Sequence, residues 1–208
     1  SVFAGPGSRV TMIHTTITKA TENGLVMAGN TGSLVMINCS FVACSGFGIK
    51  IDDGCDAMIR GCFLHRCTKS SIVVSGGPMT TALIEDTVIT ECGNGVSLEG
   101  DSLHVRMKRM EISHCTGSGV CVAKDTTGDI EVTDCNVHSN RVGNIMNAAV
   151  SVRNFLVNGV CQSVNATSNY MPRSPERQRK FDKIVEFQRE GREKTPLKTR
   201  RQWKGIKG

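Results

Sequence analysis

The segment CFLHRC (62–67) places two thiols, Cys62 and Cys67, around His65 within six residues. That set could do three kinds of chemistry. Zinc takes four convergent nitrogen or sulfur donors in a tetrahedron, and Cys-x4-Cys with a histidine could supply part of such a set. Two neighbouring thiols could close a disulfide if their Cα atoms stand within about 7 Å. A cysteine beside a histidine could act as a nucleophile, provided the thiolate is exposed and activated. A second candidate is KIDDGCD (50–56), where Asp52, Asp53 and Asp56 could serve as the paired carboxylates that cleave glycosidic bonds. Against this, Asp and Gly are the residues expected in a plain turn.

The elements that would position these groups emerge from an internal repeat. CFLHRC has relatives: TTITKA from 15, CSFVAC from 39, TVITEC from 87, MEISHC from 110 and CNVHSN from 135. The starts step by 24, 23, 25, 23 and 25 residues. Each copy is followed by a small residue and an apolar one: Gly24-Leu25, Gly48-Ile49, Ser71-Ile72, Gly95-Val96 and Gly119-Val120. A short alternating segment comes next, then turn residues, then an apolar pair leading into the next copy. A degenerate seventh copy is expected in SVRNFLVNGV (151–160). A constant period of this length, with short alternating strands and glycine turns, points to a solenoid whose coils stack at the ~4.8 Å spacing of paired strands. The consensus of the leucine-rich repeat, which has a similar period, is absent.

Within the six-residue copies, positions 1, 3 and 6 are the constrained ones. Position 3 is always apolar: Ile17, Phe41, Leu64, Ile89, Ile112 and Val137. Position 1 holds Cys39, Cys62 and Cys135, and position 6 holds Cys44, Cys67, Cys92 and Cys115, with Asn140 in the last copy. Alternation along a strand puts positions 1 and 3 on one face. Free cysteine behaves as a small hydrophobe and is among the most buried residue types. These seven thiols are therefore read as a structural ladder filling a narrow bore, reduced, and in an intracellular compartment such as the cytoplasm or a mitochondrion. A line of stacked thiols does not make a zinc tetrahedron, so no metal and no cofactor is expected. His65 and His138, at position 4, are expected to face solvent.

The repeat resembles that of the right-handed parallel β-helix superfamily, over residues 8–165. That family includes pectate lyases, polygalacturonases, phage tailspikes and the non-catalytic β-helices of certain F-box proteins. The resemblance implies an all-β fold of about six or seven coils over residues 1–169. It also raises glycan cleavage as the alternative function. Lyases of this fold use calcium-binding acids and an arginine base, and polygalacturonase-like enzymes carry Gly-His-Gly and Arg-x-Lys segments. Neither segment is present, and Arg60, Arg66 and Lys69 near the Asp52–Asp56 turn form no recognisable set. Aromatic residues for stacking on sugars make up only 4% of the chain. No enzymatic activity and no small-molecule substrate are therefore expected.

Charge separates the chain in two. Residues 170–208 carry 13 Lys and Arg against 5 Asp and Glu, a net of +8 in a chain whose net charge is +6. The body before them is close to neutral. Ser174, Pro175 and Glu176 suit a helix start, and Phe181, Ile184, Val185 and Gln188 follow at helical spacing up to Gly191. This predicts a C-terminal helix of about 16 residues. Beyond it, Arg192, Lys194, Lys198, Arg200, Arg201, Lys204 and Lys207 surround Trp203, with too few apolar residues to fold alone. Cations interleaved with an aromatic suit phosphate contact plus base stacking, or an acidic protein groove. The sequence thus predicts a scaffold subunit of a large assembly, such as a ribonucleoprotein, whose partners are other protein subunits and RNA. No apolar run reaches the ~20 residues a membrane span needs, and no membrane partner is expected. The chain opens at Ser1 rather than Met, which leaves a removed targeting segment open.

Overall fold

A computed structural model describes residues 1–29, 31–77, 80–147, 151–157 and 160–161, the last two spans by their backbone. The expected C-terminal helix and the basic extension, 170–208, lie outside the described residues.

The chain winds through three parallel sheets in turn. The first sheet is built from Val2–Ala4, Leu25–Met27, Ile49–Ile51, Ile72–Gly76, Val96–Gly100, Ser118–Val122 and Gly143–Asn147. The second starts at Arg9–Ile13 and continues through Ser33–Ile37, Asp56–Arg60, Thr81–Glu85, Leu103–Lys108, Thr127–Thr133 and Ser151–Val157. The third contains Thr16–Thr18, Ser40–Val42, Phe63–His65, Val88–Thr90, Glu111–Ser113 and Asn136–His138. Every strand pairs with its counterpart one coil away, and each described coil advances the chain by one sequence repeat. The result is six complete coils of a parallel β-solenoid. The degenerate seventh copy departs from the pattern. Its strand Ser151–Val157 adds to the second sheet, and Val160–Cys161 then pairs back on it antiparallel instead of opening a strand in the third sheet.

Alternation explains the core. Ile49 sits between Leu25 and Ile72 in the first sheet, and Leu64 between Phe41 and Ile89 in the third. All six are fully buried. The repeat's small residue serves close approach between coils. A Cβ on Gly48 would lie 2.6 Å from the Ser71 carbonyl oxygen of the next coil.

At each of the two bends that flank a third-sheet strand, one residue adopts left-handed backbone. One column is His14, Asn38, Gly61, Asp86, Arg109 and Asp134; the other is Lys19, Ala43, Arg66, Glu91, His114 and Ser139, with non-glycine φ values between 50° and 57°. Left-handed φ costs an L-residue roughly 1–2 kcal/mol. Asn and Asp pay least, and they take three of the six places in the first column. The bends flank the third-sheet strands. Position 1 of each copy therefore follows one bend and position 6 follows the other, and both point into the bore.

Candidate functional site

The sequence-selected thiols form two columns inside the solenoid. Cys39, Cys62 and Cys135 occupy the first, with Thr87 and Met110 between them; Cys44, Cys67, Cys92 and Cys115 occupy the second. All seven are at most 3% exposed, and all nine described cysteines are free. Their role extends beyond filling space. At a left-handed bend the backbone N–H of one coil needs an acceptor, and the next coil's side chain provides it. The Cys67 N–H donates to Cys92 Sγ at 3.3 Å, Cys115 N–H to Asn140 Oδ1 at 3.0 Å, and Cys62 N–H to Thr87 Oγ1 at 3.3 Å. The thiols in turn donate to carbonyls two residues back, as Cys92 Sγ does to Thr90 O at 3.3 Å and Cys135 Sγ to Thr133 O at 3.3 Å. Cys, Asn and Thr interchange in these columns because each is slender and carries an acceptor.

Stacking also sets the thiols' acidity. Cys39 and Cys62 hydrogen-bond each other, which lowers Cys39 and raises Cys62. Cys67 and Cys92 do the same, with Cys67 raised by the Cys92 contact and then by burial. Each pair thus holds at least one proton at any ordinary pH. Burial pushes Cys115 up to about 12. Burial in the bore keeps these thiols, whatever their acidity, out of reach of an electrophile. Cys55 is buried at the turn before the second sheet, while Cys121 is partly exposed on the outer face of the first.

The acidic cluster is dispersed. Asp52 pairs with Lys50 at 2.9 Å, and Asp56 accepts a hydrogen bond from Thr81 Oγ1. The basic residues near them turn elsewhere: Arg60 to Asp86 at 3.6 Å, Arg66 to Glu91 at 2.9 Å, and Lys69 over the Phe47 ring at 5.1 Å. On the outer face of the second sheet a depression of about 580 Å³ is lined in part by Thr81, Leu83, His104, Arg106, Asp129 and Glu131. Two contacts there cross one coil: His104 Nδ1 lies 3.4 Å from Asp129 and Arg106 Nε lies 3.4 Å from Glu131. Beside it Arg109 grips Asp86 with two hydrogen bonds of 2.7 and 2.9 Å and holds that carboxyl below the usual aspartate range.

Position 4 differs from expectation. His65 and His138 stand on the outer face of the third sheet, yet their side chains are only 19% and 27% exposed. Each reaches a carboxylate one coil away: His65 lies 3.9 Å from Glu91, and His138 Nε2 is 2.6 Å from Glu111 Oε1. Glu111 is itself buried and also accepts from Asn136 Nδ2 at 2.9 Å. The His114 ring meets the His138 ring edge-on at 6.0 Å. Sequence reasoning missed these partners because neighbours across coils stand about 25 positions apart. Glu111, at position 2 of the copy preceding His138, was the available signal.

The proposed partner-binding residues Arg192, Lys194, Lys198, Arg200, Arg201, Trp203, Lys204 and Lys207 lie outside the described residues. Among the described residues no group of three or more His, Cys, Asp and Glu side chains could hold a metal ion, and no helix is long and apolar enough to cross a membrane. Residues 1–160 match the family model described as right handed beta helix region. No curated protein matches the chain.

Proposed function

The chain belongs to the right-handed β-helix family, and from that premise we propose that it is a scaffold subunit of a larger assembly rather than an enzyme that cleaves glycans. The supporting observation is the pairing of charge on the solenoid body. His104 with Asp129, Arg106 with Glu131, Arg109 with Asp86 and Arg66 with Glu91 each link adjacent coils. A lyase or hydrolase site needs an acid and a base held apart and poised, whereas the arginine–carboxylate pairs here neutralise one another. The body then offers stiff, nearly neutral faces for protein contact, and the excess positive charge of residues 170–208 is left for recognition. That extension would dock on RNA phosphates or on an acidic protein surface.

Salt titration distinguishes the two targets. The seven cations between Arg192 and Lys207 would give a slope of log K against log salt near −5 on single-stranded RNA, if all contact phosphate, at about −0.7 per contact. A fall of that slope by about 2, to near −3, in a variant with Arg200, Arg201 and Lys204 changed to alanine would assign the contacts. RNA binding that is absent at 50 mM salt leaves the acidic protein surface. Turnover of pectin or alginate that Asp53→Ala abolishes would instead establish the glycan-cleaving alternative.

A further inference from the structure

The histidine–carboxylate pair on the third sheet has a third member. The Ser139 hydroxyl lies 2.9 Å from His138 Nδ1, while His138 Nε2 lies 2.6 Å from Glu111 Oε1. A nucleophile hydrogen-bonded to a base, with the base oriented by a further group, is the arrangement that activates hydroxyls for attack. We propose that Ser139, His138 and Glu111 form a relay that makes Ser139 a nucleophile toward carboxylic esters, an activity separate from the scaffold role.

The protonation pattern is chemically consistent. In the tautomer that carries its proton on Nε2, the imidazole donates to the Glu111 carboxylate. Nδ1 then carries the lone pair and accepts the Ser139 O–H. The positions are consistent as well. Glu111 is buried and held from its other oxygen by Asn136, so the carboxylate is fixed where the imidazole needs it. Ser139 is exposed and sits at a left-handed bend with φ 55°, which lifts its hydroxyl off the strand. His114 occupies the same bend one coil earlier, with its ring edge against His138, and places a second imidazole beside the nucleophile to donate to a developing oxyanion. Asn136 is 6% exposed, and its Oδ1 has no hydrogen-bond partner among the described residues.

The step balances without a cofactor. Ser139 Oγ bonds to the ester carbonyl carbon as its proton passes to His138 Nδ1. The carbon–oxygen bond to the leaving alcohol breaks, and the alcohol takes that proton. Water then attacks the acyl-serine by the same route, releasing the carboxylic acid and restoring the hydroxyl.

The test uses the full chain, a fluorophosphonate probe and p-nitrophenyl acetate. Ser139 is expected to carry the label, found by peptide mass spectrometry, and hydrolysis should exceed the buffer rate. Ser139→Gly should abolish both while leaving the urea midpoint unchanged or raised, because the left-handed bend suits glycine. Glu111 acts through His138 as a positioning residue. Glu111→Ala should slow labelling at least tenfold and remove the low-field imidazole N–H proton resonance of His138, whereas Glu111→Asp should restore part of both. Folded wild-type protein that takes no label at Ser139, or labelling that Ser139→Gly leaves intact, would overturn the proposal.

Discussion

The left-handed residues that immediately precede the thiol-column positions carry much of the conformational cost of closing this solenoid. Ala43 holds φ 57° without a side-chain hydrogen bond to offset the strain. Ala43→Gly is therefore expected to stabilise the protein by about 0.5–1 kcal/mol, since relief of left-handed strain outweighs the entropy glycine adds to the unfolded chain. A rise in the urea midpoint checks it. Cys92 illustrates the opposite case. Valine there keeps the shape but removes the acceptor for the Cys67 N–H, so Cys92→Val should cost about 1–3 kcal/mol and Cys92→Ser less. Asp86 gives a pH dependence. Arg109 depresses its folded pKa, so the stabilisation is complete above the unfolded value near 4 and is lost as pH falls through the folded value. Asp86→Asn should thus lower stability at pH 7 by about 1 kcal/mol, with the gap to wild type closing as pH falls through the depressed folded value. The sequence displayed the thiol columns openly, because burial selects side-chain type at a fixed period. It hid the left-handed columns, because Lys19, Arg66, Glu91 and His114 share a backbone conformation and no side-chain chemistry.

Each strand is short, and register holds it in place. The third-sheet strands are three residues long, with one inward side chain apiece, and gain little from intrinsic propensity. Their stability comes from stacking Phe41, Leu64, Ile89 and Ile112 coil on coil, and from the close approach that small residues permit at the following bend. Gly48→Ala pushes a methyl against the Ser71 carbonyl at 2.6 Å and Leu64 Cδ2 at 2.9 Å. It should destabilise by about 2 kcal/mol or more, because backbone in the neighbouring coil must move. An unchanged thermal midpoint would mean that coils 3 and 4 are less tightly stacked than described. The period and the inward positions were legible from the copies at 15, 39, 62, 87, 110 and 135. The outward pairs were not: Glu111 with His138 and Asp86 with Arg109 join residues 27 and 23 apart, visible only once the coils are stacked in register.

For the molecule as a whole, the proposed function gives the solenoid body and the basic extension different work. The body's thiols lie buried in the bore and its surface charges are largely paired between coils, so it should remain folded when the extension is removed. Native protein treated with an excess of a thiol reagent should modify Cys121 before Cys44, Cys67, Cys92 or Cys115, as Cys121 alone of these is partly exposed. The most direct measurement compares co-sedimentation of the full chain with that of a chain lacking residues 192–208, each expressed in cells and fractionated with its assemblies. Release of the shortened chain to the light fractions, with its circular dichroism and urea midpoint unchanged, is the expected result. Retention of the shortened chain in the heavy fractions would show that the solenoid body makes the contact and that the basic extension does not.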